Sequence, residues 1–349
     1  MRILVIGGNG FIGSLLVREL TDSGQQVAIL HRRAAASAVS DRVLSIRADR
    51  NSLADHRKEI EQFAPDVVID LILSSGEQAR QLVNAFHDFT LRIVVISSMD
   101  VYRAWGVLHG VEPGALEPLP LTEDSPLRTV RQLYPPEAVS MMQSIFSWLD
   151  DRYDKIAVEE AIMNDARISG TILRLPMVYG PGDPLHRFFP LLKRIADGRS
   201  SILLPDDLAV WRGPRGYVEN IAYAIAIAAT SNQAAGRIYN VDQEPTISEL
   251  EWQKTIAAEL KWKGQFIVLP RERTPMHLLL PGNAAQHVVC SSARIRFELG
   301  FQEPITTDEA IRRTIAWEQA NPPAVINPSQ FNYDAEDSAL AGSSASLFQ

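Results

Sequence analysis

Apolar residues arrive in short runs that glycines and polar turns punctuate. Ile3-Leu4-Val5-Ile6 leads into a glycine-rich turn, after which Leu15, Leu16 and Leu20 recur at helical spacing until Gly24 ends the pattern. That sequence predicts strand, turn, helix. A second strand over 27–30 ends in His31-Arg32-Arg33, and a third over 43–46 ends near Asp49. Residues 52–63 predict a helix capped by Ser52, and the run Val67-Val68-Ile69-Asp70-Leu71-Ile72 predicts the next strand. A helix over 77–86 and a strand over 93–96 follow, then a helix over 155–165 and a strand over 171–175.

Strands that are apolar throughout and alternate with helices must bury both faces, so the pattern predicts a parallel, doubly wound sheet of the Rossmann type. Its ligands should sit at the carboxyl ends of the strands, where Gly7, Arg32, Asp49 and Ser97 all fall. From Tyr102 to about Ser147 the chain carries Pro113, Pro118, Pro120, Pro126, Pro135 and Pro136, which predicts an irregular excursion over that crevice, placed to act as a lid. Helices over 188–196, 218–229, 247–260 and 307–320 and strands over 238–241 and 266–269 predict a smaller mixed lobe. The expected division is a dinucleotide domain over 1–175 to which 215–243 returns, a substrate lobe over 176–214 and 244–323, and a tail over 324–349 read as disordered for want of large apolar residues.

Composition narrows the partner. In 349 residues, 46% are apolar and the formal charge is −8, which argues against a broad basic footprint for nucleic acid or an anionic membrane and favours a small-molecule substrate. The single cysteine, Cys290, excludes an intrachain disulfide and is expected as core filler, which makes a reducing cytoplasm the simplest compartment. No run reaches the ~20 apolar residues of a membrane span. The seven histidines lack the i, i+4 pairing of a helical zinc site, so no catalytic metal is expected.

The candidate chemistry begins at Gly7-Gly8-Asn9-Gly10-Phe11-Ile12-Gly13, between a strand and a helix, where bare backbone can approach a pyrophosphate and the helix N-terminus offers unpaired N–H groups. After the second strand, where an acid would hold both ribose hydroxyls of NAD, stand Arg32 and Arg33, whose guanidinium forks suit a 2′-phosphate; NADP is therefore expected over NAD. Asp49 is placed to accept from the adenine amine or to form a turn.

Several ordered motifs together give the chain a family resemblance: GGNGFIG at 7–13, VVISSMDVY at 94–102, KIAVEEAI at 155–162, LRLPMVYGPGD at 173–183, RGYVENIAYAI at 215–225, GRIYNV at 236–241 and ELGF at 298–301. It resembles the extended short-chain dehydrogenase/reductase superfamily, in its NAD-dependent epimerase/dehydratase group, over nearly its whole length to about Pro322. The resemblance implies dinucleotide contacts from Gly7, Asn9, Gly10, Phe11, Ile12, Gly13, Arg32, Arg33, Asp49, Arg50, Leu71, Ser97, Lys155 and Pro176. It implies that Ser98 polarises a substrate oxygen and that Lys155 binds nicotinamide ribose and lowers the pKa of a tyrosine one turn earlier.

One turn before Lys155, however, lies Asp151, so the family's Tyr-x-x-x-Lys motif is broken. Tyr153 is two residues from Lys155 and on a regular helix projects about 200° away, so it reaches the site only if the helix starts after Asp154. Tyr102 is a second candidate, and Asp100 stands near the catalytic serine position either as an acid–base group or as a cap. Where the family keeps a substrate-binding Asn, this chain has Leu175-Pro176-Met177, which removes a polar contact to a nucleotide-sugar. Arg215 is placed for a substrate phosphate or for a surface salt bridge, with Tyr102, Met177, His186 and Arg212 as further pocket residues. The implied activity is hydride transfer at a carbinol or ketone carbon, as reduction, epimerisation or dehydration; the alternative is a binding protein that has lost catalysis, like the chloroplast stem-loop RNA-binding relatives of the group. A homodimer, common in the family, is a further expectation.

Overall fold

The computed structural model describes residues 1–32, 42–90 and 92–345. The first half alternates strand and helix: β1 (Arg2–Ile6), α1 (Phe11–Asp22), β2 (Gln26–His31), β3 (Val43–Arg47), α2 (Arg57–Phe63), β4 (Val67–Asp70), α3 (Gly76–Phe86) and β5 (Arg92–Ser98). Next come α4 (Arg103–Leu108), α5 (Pro136–Ile145), α6 (Lys155–Met163), β6 (Ser169–Leu175), β7 (Met177–Tyr179), α7 (Phe189–Ala196), β8 (Ser201–Pro205) and α8 (Asp206–Val210). The chain continues through β9 (Arg215–Tyr217), α9 (Val218–Thr230), β10 (Arg237–Asn240), α10 (Glu249–Glu259), β11 (Gln265–Leu269), α11 (Ala293–Leu299), α12 (Thr307–Ala320) and α13 (Tyr333–Ala345).

Seven parallel strands form the central sheet in the order β10-β6-β5-β4-β1-β2-β3, with Ile3 opposite both Val27 and Val67. Successive residues of each strand feed opposite faces. Ile3, Val5, Val27 and Ile29 join Leu16 and Leu20 of α1 and Ile221, Ala224 and Ile225 of α9 on one side. Leu4, Ile6, Val68 and Val95 join Ile60, Leu82, Phe86, Val158 and Ile162 from α2, α3 and α6 on the other. Both faces are covered, which explains why the strands carry no polar alternation. Strand order reverses between β1 and β4, and the crevice that opens at such a switch point is where ligands of these sheets bind. Two small parallel pairs, β7 with β9 and β8 with β11, build the second lobe.

Three expectations need correction. Residues 50–56 form a tight 3-10 segment with a kink at Ser52, so only 57–63 are α-helical and Ser52 is not the cap. The proline-rich excursion contains α4 and a ten-residue α5, whose first turn Pro136 suits because proline lacks an N–H that would go unused there. The tail is not disordered over its described part. Residues 333–345 are helical, and Glu336, fully buried, pairs with Arg194 at 2.8 Å and with His277 at 3.0 Å. Tyr333 donates to Asp197 at 2.6 Å and Asp337 pairs with Arg199 at 2.5 Å. Charge pairing through Glu336 and Asp337 ties this helix to Arg194, His277 and Arg199.

Candidate dinucleotide cleft and catalytic cluster

The glycines of the first turn are dictated by close approach. Gly7 has φ +86°, and a Cβ there would lie 2.9 Å from Ile72. A Cβ on Gly13 would lie 2.1 Å from the Gly7 carbonyl oxygen, so only hydrogen at this position lets α1 pack on the turn. Gly10 caps α1 through its backbone, leaving the N–H groups of the first turn without a side-chain partner. Beyond this turn opens a cleft of about 630 Å³, lined by Gly7, Asn9, Gly10, Arg32, Asp49, Arg50 and the segment Ser147 to Asp151. The bare glycine cradle and the adjacent guanidinium groups fit the adenosine and pyrophosphate half of a dinucleotide.

Around it, Arg32 is exposed and donates to Ser147 Oγ at 3.0 Å. Arg33 lies outside the described residues. Asp49 lines the cleft and also forms a turn, its Oδ1 accepting from Asn51 N at 2.9 Å. Leu71 follows β4 and its N–H donates to Ile6 O at 3.1 Å. Phe11 and Ile12 open α1 and pack against the core; Pro176 packs beside Gly216. The Ser97 hydroxyl is not offered to the cleft: it donates to the buried Glu159 carboxylate at 2.5 Å.

At the end of β5 the chain turns sharply, and Ser98 Oγ accepts from Asp100 N at 3.1 Å. Asp154 caps α6, accepting from Ile156 N at 3.0 Å and Ala157 N at 3.3 Å, so the helix starts at Lys155 and Tyr153 lies outside it. Freed from helical geometry, Tyr153 turns inward and donates to Asp100 Oδ2 at 2.8 Å. Tyr134, from the proline-rich excursion, donates to the same oxygen at 3.3 Å. Asp100 Oδ1 has no hydrogen-bond partner, and Arg128 Nη2, itself unpartnered, lies 4.0 Å away. Burial raises the Asp100 carboxyl above the usual range, with Arg128 acting in the opposite sense. Burial, then the Asp100 charge, raises both phenols well above theirs.

Lys155 is buried, its Nζ donating to the carbonyls of Leu73 and, at 3.0 Å, Ile96. Burial lowers its pKa to about 8, with Asp100 the largest opposing charge. The Trp148 ring centroid lies 5.9 Å from Nζ, so the 147–151 segment covers this end of the cleft. Asp150 pins that segment, its N–H donating to Ser74 Oγ and its Oδ2 accepting from Ser75 Oγ, both at 2.8 Å.

Five further expected pocket residues are engaged elsewhere. Tyr102 is fully buried, donating to Asn240 at 2.6 Å and accepting from Arg174 at 2.9 Å, which removes it as a substitute for the missing tyrosine. Arg215 pairs with Glu249 and stacks 5.0 Å from the Trp252 ring centroid, inside the lobe rather than at its surface. His186 binds Glu318 at 2.8 Å and stacks on Trp317. Met177 opens β7 and packs against the cluster around Met99 and Trp211. Arg212 is half-buried beside His287. Tyr134, Arg128 and Trp148 escaped the sequence reading because they lie in an aperiodic segment, where no spacing signals a shared site.

A seven-stranded parallel sheet with a glycine turn at its switch point defines a Rossmann-type α/β protein. The sequence model of the NAD dependent epimerase/dehydratase family matches residues 3–123 and 152–242, and the chain belongs to that family. The chain is 27% identical over 251 residues to a 2-alkyl-3-oxoalkanoate reductase of Stenotrophomonas maltophilia, covering 68% of this chain and 69% of the relative. It is 21% identical over 262 residues to the chloroplast stem-loop binding protein of 41 kDa b of Arabidopsis thaliana, covering 71% of this chain and 60% of that one. A solved UDP-glucuronic acid 4-epimerase from Bacillus cereus, in complex with UDP-glucuronic acid and NAD, shares the fold with TM-score 0.66 at 16% identity, covering 92% of this chain and 99% of that chain. Among the described residues no helix is long and apolar enough to cross a membrane.

Proposed function

We propose that the protein is a nicotinamide-dependent oxidoreductase or epimerase acting at a carbinol or ketone carbon, with NADP preferred over NAD. The observation that carries this reading is the Tyr153 to Asp100 hydrogen bond of 2.8 Å beside Ser98, at the carboxyl end of β5, on the same edge of the parallel sheet as the glycine turn after β1. A bound nicotinamide supplies or accepts the hydride. Ser98 Oγ orients the substrate oxygen. In the oxidative direction Tyr153 Oη takes the substrate proton as its own passes to Asp100 Oδ2; in the reductive direction the same two protons return. Lys155 holds positive charge near Asp100, which favours the carboxylate when a proton has left it. Arg32, at the end of β2, supports the NADP preference. The relationship to an oxoalkanoate reductase supports a carbonyl-bearing substrate.

Because Asp100 is the terminal proton carrier, oxidation requires its carboxylate and reduction its carboxylic acid. As pH rises through its raised pKa, oxidation should gain and reduction should fall. The test is reduced-nicotinamide absorbance with panels of 3-oxo acids, 3-hydroxy acids and nucleotide-sugars, for wild type and Tyr153→Phe. Turnover that Tyr153→Phe abolishes supports the reading; turnover unchanged by it refutes the proton path.

A further inference from the structure

The loop that carries Tyr134 is built around two buried charges, Arg128 and Glu112. The Arg128 guanidinium donates to the carbonyls of Asp100 and Val130 and, at 3.1 Å, to that of Arg131, while its backbone N–H donates to Val101 O at 2.8 Å. Glu112 accepts from the N–H groups of Thr129 and Val130 at 2.6 and 2.8 Å and from Thr129 Oγ1 at 3.0 Å. This framing sets Tyr134 edge-on to His109, with ring centroids 5.7 Å apart, and beside Tyr153 at 5.9 Å. Both phenols then reach one atom, Asp100 Oδ2, Tyr153 donating at 2.8 Å and Tyr134 at 3.3 Å.

Across the carboxylate stands a rival for it. Asp100 Oδ1 and Arg128 Nη2 are both buried and both lack a hydrogen-bond partner among the described residues, yet they lie 4.0 Å apart. Buried donors and acceptors are nearly always satisfied, and a free guanidinium and carboxylate close to about 2.8 Å. Arg128 is held by its carbonyl partners, so the side that can move is Asp100. A turn of its carboxylate toward Nη2 would carry Oδ2 away from Tyr153. Two phenols on Oδ2 oppose that turn.

We propose that Tyr134 is a positioning residue of the proton path: together with Tyr153 it holds the Asp100 carboxylate off Arg128, keeping Oδ2 poised to take the Tyr153 proton. The inference rests on the proton path proposed above.

The test is a pair of crystal structures, wild type and Tyr134→Phe, with the kcat pH profile of each on whichever substrate of the nicotinamide panel turns over. The substitution keeps the ring against His109 and removes only the hydroxyl. In the variant the gap between Asp100 Oδ1 and Arg128 Nη2 is expected to close to a hydrogen bond, leaving Tyr153 without its partner. The oxidative kcat is expected to fall roughly ten- to hundredfold, with dinucleotide affinity unchanged. The charged and titratable groups that face Asp100 are Arg128, Lys155, Tyr153, Tyr134 and His109, and of these Arg128 alone gains a contact. A charge-assisted bond outweighs the lost 3.3 Å phenol bond, so the onset of oxidation should move to lower pH. A wild-type carboxylate already on Arg128, a carboxylate that stays put in the variant, an unchanged kcat, or an onset that moves upward, as loss of a donor alone would make it, overturns the inference. If the wild-type chain turns over nothing in the panel, the catalytic reading has failed, and the two crystal structures still decide whether Tyr134 holds Asp100 off Arg128.

Discussion

Lys155 should make the protein less stable at neutral pH, and replacing it should show this. Its amine is buried among Leu73, Ile96 and Trp148 and ionises at about 8 instead of near 10.5. At about 1.4 kcal/mol per pKa unit, holding the charged form inside the fold costs about 3 kcal/mol. Lys155→Met removes that cost while keeping most of the side-chain volume. It also leaves two carbonyls without their donor, a loss of about 1 kcal/mol each. The balance is a variant about 1–2 kcal/mol more stable than wild type near pH 7.

The sign with pH follows from proton counting. Between about 8 and 10.5 the unfolded chain still binds the lysine proton and the native chain has released it, so wild-type stability gains with rising pH relative to the variant. Near pH 10 the advantage of Lys155→Met should vanish or reverse. Urea denaturation of both proteins at the two pH values measures this directly, through the shift in midpoint at constant slope. A variant less stable than wild type at neutral pH, with a difference that does not move with pH, would refute the argument that Lys155 is kept charged and buried for a purpose other than stability.

Other consequences follow from the same geometry. Gly13→Ala drives a methyl to 2.1 Å from the Gly7 carbonyl oxygen, so it should cost roughly 1–3 kcal/mol in thermal or urea unfolding and abolish dinucleotide binding by calorimetry. Glu336→Gln weakens its ion pairs with Arg194 and His277, so amide exchange over 333–345 should accelerate while the core sheet is unaffected. Trp148 covers the Lys155 end of the cleft, so dinucleotide binding should change tryptophan emission in wild type and much less in Trp148→Phe.

The dinucleotide half of the molecule was legible because its signals are local. Ile3 to Ile6, the glycines and Leu16 and Leu20 specify strand, turn and helix within about twenty residues, and their burial follows from periodicity alone. The start of α6 was legible only conditionally: Asp154 as cap decides that Tyr153 lies before the helix, where its phenol meets Asp100. Long-range partners were not legible. Tyr102 sits in the right motif, yet Asn240 and Arg174 capture its hydroxyl from distant segments. The tail reads as disordered because its docking depends on Glu336 meeting Arg194 and His277, which no composition count can anticipate. Arg50 and Asp70 likewise meet only once β1 and β2 have been laid between their strands.

The central claim is that this cleft holds a nicotinamide dinucleotide, and calorimetric titration of the purified full chain with NADPH and NADH tests it most directly. The account predicts saturable binding of both with NADPH the tighter. Absence of binding by either at millimolar concentration would contradict it and leave the glycine turn as a structural element alone.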